Sequence, residues 1–139
     1  MRIIAVCTGN TCRSPMAEAM LKAKFGDIAE VCSRGIMSTG AGASEESILV
    51  MREMGYDISG HISQRLTQKE IETADLILTM TLNHKRIICT AVPEAKDKVF
   101  TLCEYAGIKG SIDDPYGLGI NEYRKCAEKI KKAVDAIEL

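Results

Sequence analysis

The chain has 139 residues, 46% of them hydrophobic, three prolines and a formal net charge of −1. This length suffices for one domain with a sizeable core, so a single domain over residues 1–139 is expected. The near-neutral balance argues against nucleic-acid binding by bulk electrostatics. No apolar run reaches membrane-spanning length, so neither nucleic acid nor membrane is expected as a partner.

The N-terminal run Arg2–Cys7 reads as an edge-to-core strand, too short for a secretory leader. After a polar loop, Ser14-Pro15 opens a helix, with Ser14 as N-cap and Glu18 early enough to meet the helix dipole. A second strand is expected around Ile28–Ser33, followed by Arg34-Gly35. A helix over Ala43–Met54 starts from an acidic first turn and stops at Gly55. Thr67–Thr73 carries a Thr67/Glu70 capping box. In "ADLILTM" the residues Leu76, Ile77 and Leu78 form a continuous apolar strand suited to burial on both faces. A helix over Asn83–Thr90 is stopped by Pro93, and a fourth strand follows at Lys98–Leu102. The last helix runs from Gly119 to Ile137, with Tyr123, Cys126, Ile130, Val134 and Ile137 on one stripe. Strands alternating with helices predict a parallel sheet covered on both faces, a doubly wound α/β sandwich. Ligands of such folds bind beyond the carboxyl ends of the strands, where residues 7–14 would lie.

Six cysteines, at positions 7, 12, 32, 89, 103 and 126, stand in a chain too core-rich to need a disulfide scaffold. They read as reduced thiols of a cytoplasmic protein, with Cys32, Cys89, Cys103 and Cys126 as small core residues. Neither they nor the two histidines make a metal pattern, and no cofactor is expected.

The stretch "CTGNTCRS" joins a strand to a helix N-terminus, where backbone N–H groups lack intrahelical partners and the dipole favours an anion. Gly9 lets the chain curl so that the N–H groups of Thr8 to Cys12 converge as a nest. Arg13 adds a bidentate guanidinium fork for a tetrahedral oxyanion. The spacing is not that of a nucleotide-binding loop, which needs a second glycine and a lysine. Cys7 would sit at the base of the cup, where the positive field favours a thiolate placed for in-line attack on phosphorus. Ser14 could hydrogen-bond that thiolate, and Asn10 could brace the loop. Such chemistry needs a general acid for the leaving group. "SIDDPYG" supplies Asp114, with Asp113 as the neighbouring option, although Asp-Pro and Gly117 also satisfy plain turn chemistry.

"VCTGNTCRSPMAE" and "DDPYG" resemble the low-molecular-weight protein tyrosine phosphatase family. "SRG", "GYDISGHISQRL" and "ADLILTMT" extend the resemblance over nearly the whole chain. It implies a flavodoxin-like three-layer sandwich with a four-stranded parallel sheet and a metal-free, two-step mechanism. Cys7 would attack, Arg13 hold the phosphoryl group, and Asp114 protonate the leaving group and then activate water. The family further implies a reversible Cys7–Cys12 disulfide that protects the nucleophile from deeper oxidation.

Thr11 stands where the tyrosine-specific members usually carry an apolar β-branched residue. With "ADLILTMTLNHK" and "DKVFTLCEY" it resembles the bacterial protein arginine phosphatase branch, whose substrates are arginine-phosphorylated proteins. A hydroxyl there can meet the polar N–H groups of phosphoarginine or the attacking water. Aromatic residues make up 4% of the chain and there is no tryptophan, so Tyr116 is the one aromatic placed to wall a pocket. Its alternative role is turn packing. Tyrosine phosphatase activity on tyrosine-phosphorylated proteins is the main rival. An arsenate reductase would need two close cysteines after the third strand, and here Cys89 and Cys103 are far apart. A non-catalytic phosphate-binding module is a third reading. His61 is expected to brace the loop region or a surface turn, and His84 to be solvated at a polar helix start. Arg65 and Lys85 are expected on solvated faces.

Overall fold

The computed structural model describes all 139 residues. Four parallel strands form one sheet in the order β2-β1-β3-β4: β1 Arg2–Cys7, β2 Glu30–Gly35, β3 Leu76–Thr79 and β4 Val99–Thr101. Register pairs Ile3 with Val31 on one side and Leu76 on the other, so β1 is an interior strand paired along both edges. Its near-continuous apolar run is what two-sided burial demands.

Alternate residues of the strands feed two cores. Ile3, Ala5, Leu76 and Leu78 pack with α1 (Arg13–Phe25), α2 (Glu45–Glu53), α5 (Leu102–Ala106) and α6 (Ile120–Ala136). Ile4, Val6, Ile77 and Val99 pack with α3 (Gln68–Thr73) and α4 (Leu82–Ala91). The result is the expected three-layer α/β sandwich, and the α6 stripe from Tyr123 to Ile137 is buried as the spacing requires.

Several boundaries differ from expectation. Strand β2 begins two residues late because Ile28 points outward, 64% exposed. Thr101 caps α5 with a capping box to Glu104, which ends β4 at Thr101 rather than Leu102. A 3-10 turn over Pro93–Lys98 and the one-turn α5 were not foreseen. The start of α1 also departs from the reading. Its N-cap is Cys12, with no side-chain cap, and the first turn holds no acid. Ser14 lies inside the helix with its hydroxyl turned into the phosphate loop, and Glu18 instead meets Lys22 and Ser33. The loop itself takes the Ser14 hydroxyl, and Lys22 and Ser33 take Glu18, so neither serves as a cap. The Thr67/Glu70 box is present as expected.

Candidate active site

The order β2-β1-β3-β4 reverses direction between β1 and β3, and this switch point opens a crevice at their carboxyl ends. Cys7 ends β1, Thr8–Cys12 form the loop, and Arg13 begins α1. The chain after β2 braces this loop from one side, with the Ile36 N–H donating to Cys7 O (3.0 Å) and the Met37 N–H to Thr8 O (2.8 Å). Gly35 faces it so closely that a Cβ there would lie 2.8 Å from Thr8 O and 2.9 Å from Asn10 Cβ. The glycine of "SRG" is therefore a wall of the loop, a role sequence reasoning missed.

The left-handed residue of the loop is Asn10, with φ 59°, rather than Gly9. Asparagine tolerates this region when its side chain is tied down, and here it is. Asn10 is fully buried, and its Nδ2 donates to Ser14 Oγ (2.8 Å) and Ser33 Oγ (3.0 Å). Its Oδ1 accepts from the Gln64 N–H at 3.0 Å, and its backbone O meets His61 Nε2 at 2.7 Å. His61 thus braces the loop, as its sequence setting suggested.

These bonds give the network a direction. Ser33 donates to Glu18 Oε1 (2.8 Å), so its oxygen accepts from Asn10. Ser14 likewise accepts from Asn10 and keeps its own proton for Cys7 Sγ, 2.9 Å away. The competing acceptor, Arg34 O, is farther at 3.5 Å.

Arg13 is buried and anchored by Nη1 to Ile112 O at 3.0 Å. Its Nε is buried with no partner in the chain, and Nη2 has only Asp114 Oδ2 at 3.9 Å. The Nε–Nη2 edge is thus the free side of a fixed fork, the geometry that grips an oxyanion bidentately. Asp114 is half exposed, and its Oδ1 accepts from the Tyr116 N–H at 3.1 Å. Asp113 turns away to accept from Ser111 Oγ (2.7 Å), so of the two acids Asp114 is the one facing Arg13. Tyr116 is 77% exposed beside it and is not among the residues that pack on the core.

Thr11 is half-buried, its carbonyl held by the Ser44 N–H at 2.8 Å. Cys12 is buried, and burial pushes its thiol up while the adjoining Thr11 hydroxyl opposes this. Cys103 and Cys126 are core residues, whereas Cys32 and Cys89 are half-buried. Cys89 packs in the α3–α4 core and Cys103 in the opposite one, so the sheet separates them and they form no thiol relay.

His84 is the clearest correction. Expected in solvent, it is 4% exposed, with Nε2 at 2.9 Å from Thr8 Oγ1 and Nδ1 at 3.3 Å from the Thr81 N–H. Burial, and next the charge of Arg13, lower its pKa to about 4, with Asp114 opposing. The polar letters "TLNHK" conceal this because His84 takes the place of the acid in a capping box with Thr81. Lys85 meets Glu104 (3.1 Å), and Arg65 is exposed.

A thiol at the base of a strand–loop–helix anion cradle, with a clamping arginine and a facing carboxylate, defines a cysteine-dependent phosphatase. Residues 2–138 match the model of the low molecular weight phosphotyrosine protein phosphatase family, and the chain belongs to it. It is 41% identical over 138 residues to a protein-arginine-phosphatase of Geobacillus stearothermophilus, covering 98% of this chain and 93% of that one. It is 37% identical to the low molecular weight protein-tyrosine-phosphatase PtpB of Staphylococcus epidermidis, covering 99% and 97%. A solved YwlE arginine phosphatase with serine replacing its active-site cysteine, phosphorylated on that serine, superposes with a TM-score of 0.90. That structure is 37% identical, and the match covers 98% of this chain and 92% of that one.

Proposed function

We propose that this chain is a protein arginine phosphatase, acting on arginine-phosphorylated proteins through a cysteinyl-phosphate. The Cys7 thiolate attacks phosphorus as the P–N bond breaks, and protonated Asp114 gives its proton to the leaving guanidine nitrogen. The Asp114 carboxylate then takes a proton from water, whose oxygen attacks phosphorus. The S–P bond breaks, releasing inorganic phosphate and restoring the thiolate. The N–H groups of Thr8 to Cys12 and the free edge of Arg13 hold the phosphoryl oxygens throughout. Once its proton has gone, the Asp114 carboxylate, half exposed at the mouth, can pair with the departing guanidinium.

The observation that carries the choice of substrate is Thr11. It places a hydroxyl on the phosphate loop, where a polar leaving group can use it. Likeness to the Geobacillus enzyme supports the same reading. The relative phosphorylated on a serine in place of cysteine supports Cys7 as the nucleophile. Cys12 guards Cys7 by reversible disulfide formation. Both stand as free thiols, which suits a reducing, cytoplasmic setting.

Exposed Tyr116 beside Asp114 favours the second reading, a tyrosine phosphatase, because an aromatic at the mouth can stack on a phenyl ring. Matched phosphoarginine and phosphotyrosine peptides separate the two. Wild type is expected to prefer phosphoarginine, Thr11→Ile to move preference toward phosphotyrosine, and Cys7→Ser to be inactive on both. Preference of wild type for phosphotyrosine, unchanged by Thr11→Ile, refutes the arginine reading.

A further inference from the structure

His84 lies outside the loop and reaches it only through the Thr8 side chain, yet it is buried at the switch point with both ring nitrogens engaged. Nδ1 faces the Thr81 N–H at 3.3 Å and the Thr81 hydroxyl at 3.1 Å; the N–H can only donate, so Nδ1 accepts and the ring proton resides on Nε2. Nε2 therefore donates to Thr8 Oγ1 at 2.9 Å. Thr8 is an exposed residue of the loop, and its carbonyl is held separately by Met37. With one lone pair of Oγ1 committed to His84, the hydroxyl proton is turned away from the histidine.

We propose that His84 is a positioning residue of this phosphatase: its Nε2–H locks the Thr8 hydroxyl as an outward-facing donor at the lip of the phosphate loop. The ring is neutral at ordinary pH, because burial and then Arg13 hold its pKa to about 4. A neutral ring donates through Nε2 without adding charge beside Arg13. The same ring completes the helix cap of α4 through Nδ1. Sheet end, helix start and phosphate loop are thereby joined by one side chain. The proposal rests on the reading of residues 7–13 as the phosphate cradle.

The test is a double-mutant cycle of Thr8→Val and His84→Ala, with Thr81→Ala as the capping control and Cys7→Ser as the check on the cradle. Steady-state kcat/KM is measured on a phosphopeptide that wild type turns over, together with inhibition by inorganic phosphate and the Tm. Thr8→Val and His84→Ala are each expected to lower kcat/KM by about 5- to 10-fold, the scale of one hydrogen bond. Each should weaken phosphate inhibition by a similar factor. The double variant should lose no more than the worse single one, because both break the same contact. Thr81→Ala removes the hydroxyl 3.1 Å from Nδ1 as well as the cap, so it should lower the Tm and cost kcat/KM less than His84→Ala does, since the backbone N–H of residue 81 still meets Nδ1. Multiplication of the two losses overturns the proposal, as does a Thr8→Val enzyme with unchanged kcat/KM or a Thr81→Ala enzyme as impaired as His84→Ala. An active Cys7→Ser enzyme would instead overturn the cradle reading. Thr8 is exposed, so its variant reads the contact even if His84→Ala fails to fold.

Discussion

Asn10 concentrates more of the site's stability than any other loop residue. Replacing it with alanine deletes two hydrogen bonds from Nδ2 to buried serine hydroxyls and one to Oδ1 from Gln64. Each of the first two contributes about 1 kcal/mol. The third contributes about half that, because Gln64 is exposed and its N–H recovers water. Alanine must also hold φ near 59°, which costs about 1–2 kcal/mol for a residue without the asparagine's local bonds. The expected loss is about 4 kcal/mol, a large part of the 5–15 kcal/mol typical of a domain. Asn10→Gly deletes the same hydrogen bonds but removes the left-handed penalty, so it should be about 1 kcal/mol more stable than Asn10→Ala despite its smaller side chain. Urea unfolding of the three proteins measures both differences. A loss below about 1.5 kcal/mol for alanine, or glycine proving the less stable, would refute the accounting. Both variants should lose activity as well, because Ser14 is freed from the donor that directs its proton to Cys7.

Gly35→Ala forces a Cβ to within 2.8 Å of Thr8 O, so the loop must shift. A stability cost of about 1–3 kcal/mol with at least a tenfold fall in kcat/KM is expected, read by urea melts and steady-state assays. Asp114→Asn removes the proton donor and should lower turnover of a phosphoarginine peptide by about 10²–10⁴. An aryl phosphate with a good leaving group should suffer less, and an equal loss on both would count against the acid role. His84 makes stability pH-dependent. Its folded pKa of about 4 lies below the ordinary 6.5, so between these values the unfolded chain binds the extra proton. Stability from this group is fully present above pH 6.5 and falls as pH drops toward 4. Hydrogen-bonded carboxylates such as Glu104, held low first by the Thr101 backbone N–H, lose theirs in a more acidic window. His84→Ala should flatten the upper window by up to one proton while sparing the lower, as urea melts across the pH series would show.

Much of the site was legible because local chemistry carries it. A strand that ends in Cys7, a loop of small polar residues, Arg13 and a helix start can bind an anion by backbone geometry alone. The choice of Asp114 over Asp113 was less legible. Both follow Ile112, and only the turn that aims one at Arg13 and ties the other to Ser111 separates them. Ser14 and Glu18 were misread as helix-capping and dipole groups because local rules score local partners. Ser14 is instead taken up by Asn10 and Cys7 of its own loop, whose shape depends on the chain around it, and Glu18 by Ser33 of the neighbouring strand. His84 was misread most. Nothing in a polar helix start shows that Thr8, 76 positions earlier, will lie 2.9 Å from its ring.

The sequence by itself determined the alternation of strands and helices, the two-sided burial of β1 and β3, the strand–loop–helix that carries the proposed phosphate cradle, and the family. These are set by periodicity and by contacts within a dozen residues. Tertiary structure alone decided which loop residue turns left-handed, why position 35 admits no side chain, and which way the protons run from Glu18 to Cys7. It also decided that a histidine from the far side of the switch point holds the loop's lip. Each of these depends on at least one contact between residues 15 to 76 positions apart, and such contacts exist only once the parallel sheet has brought the strand ends together.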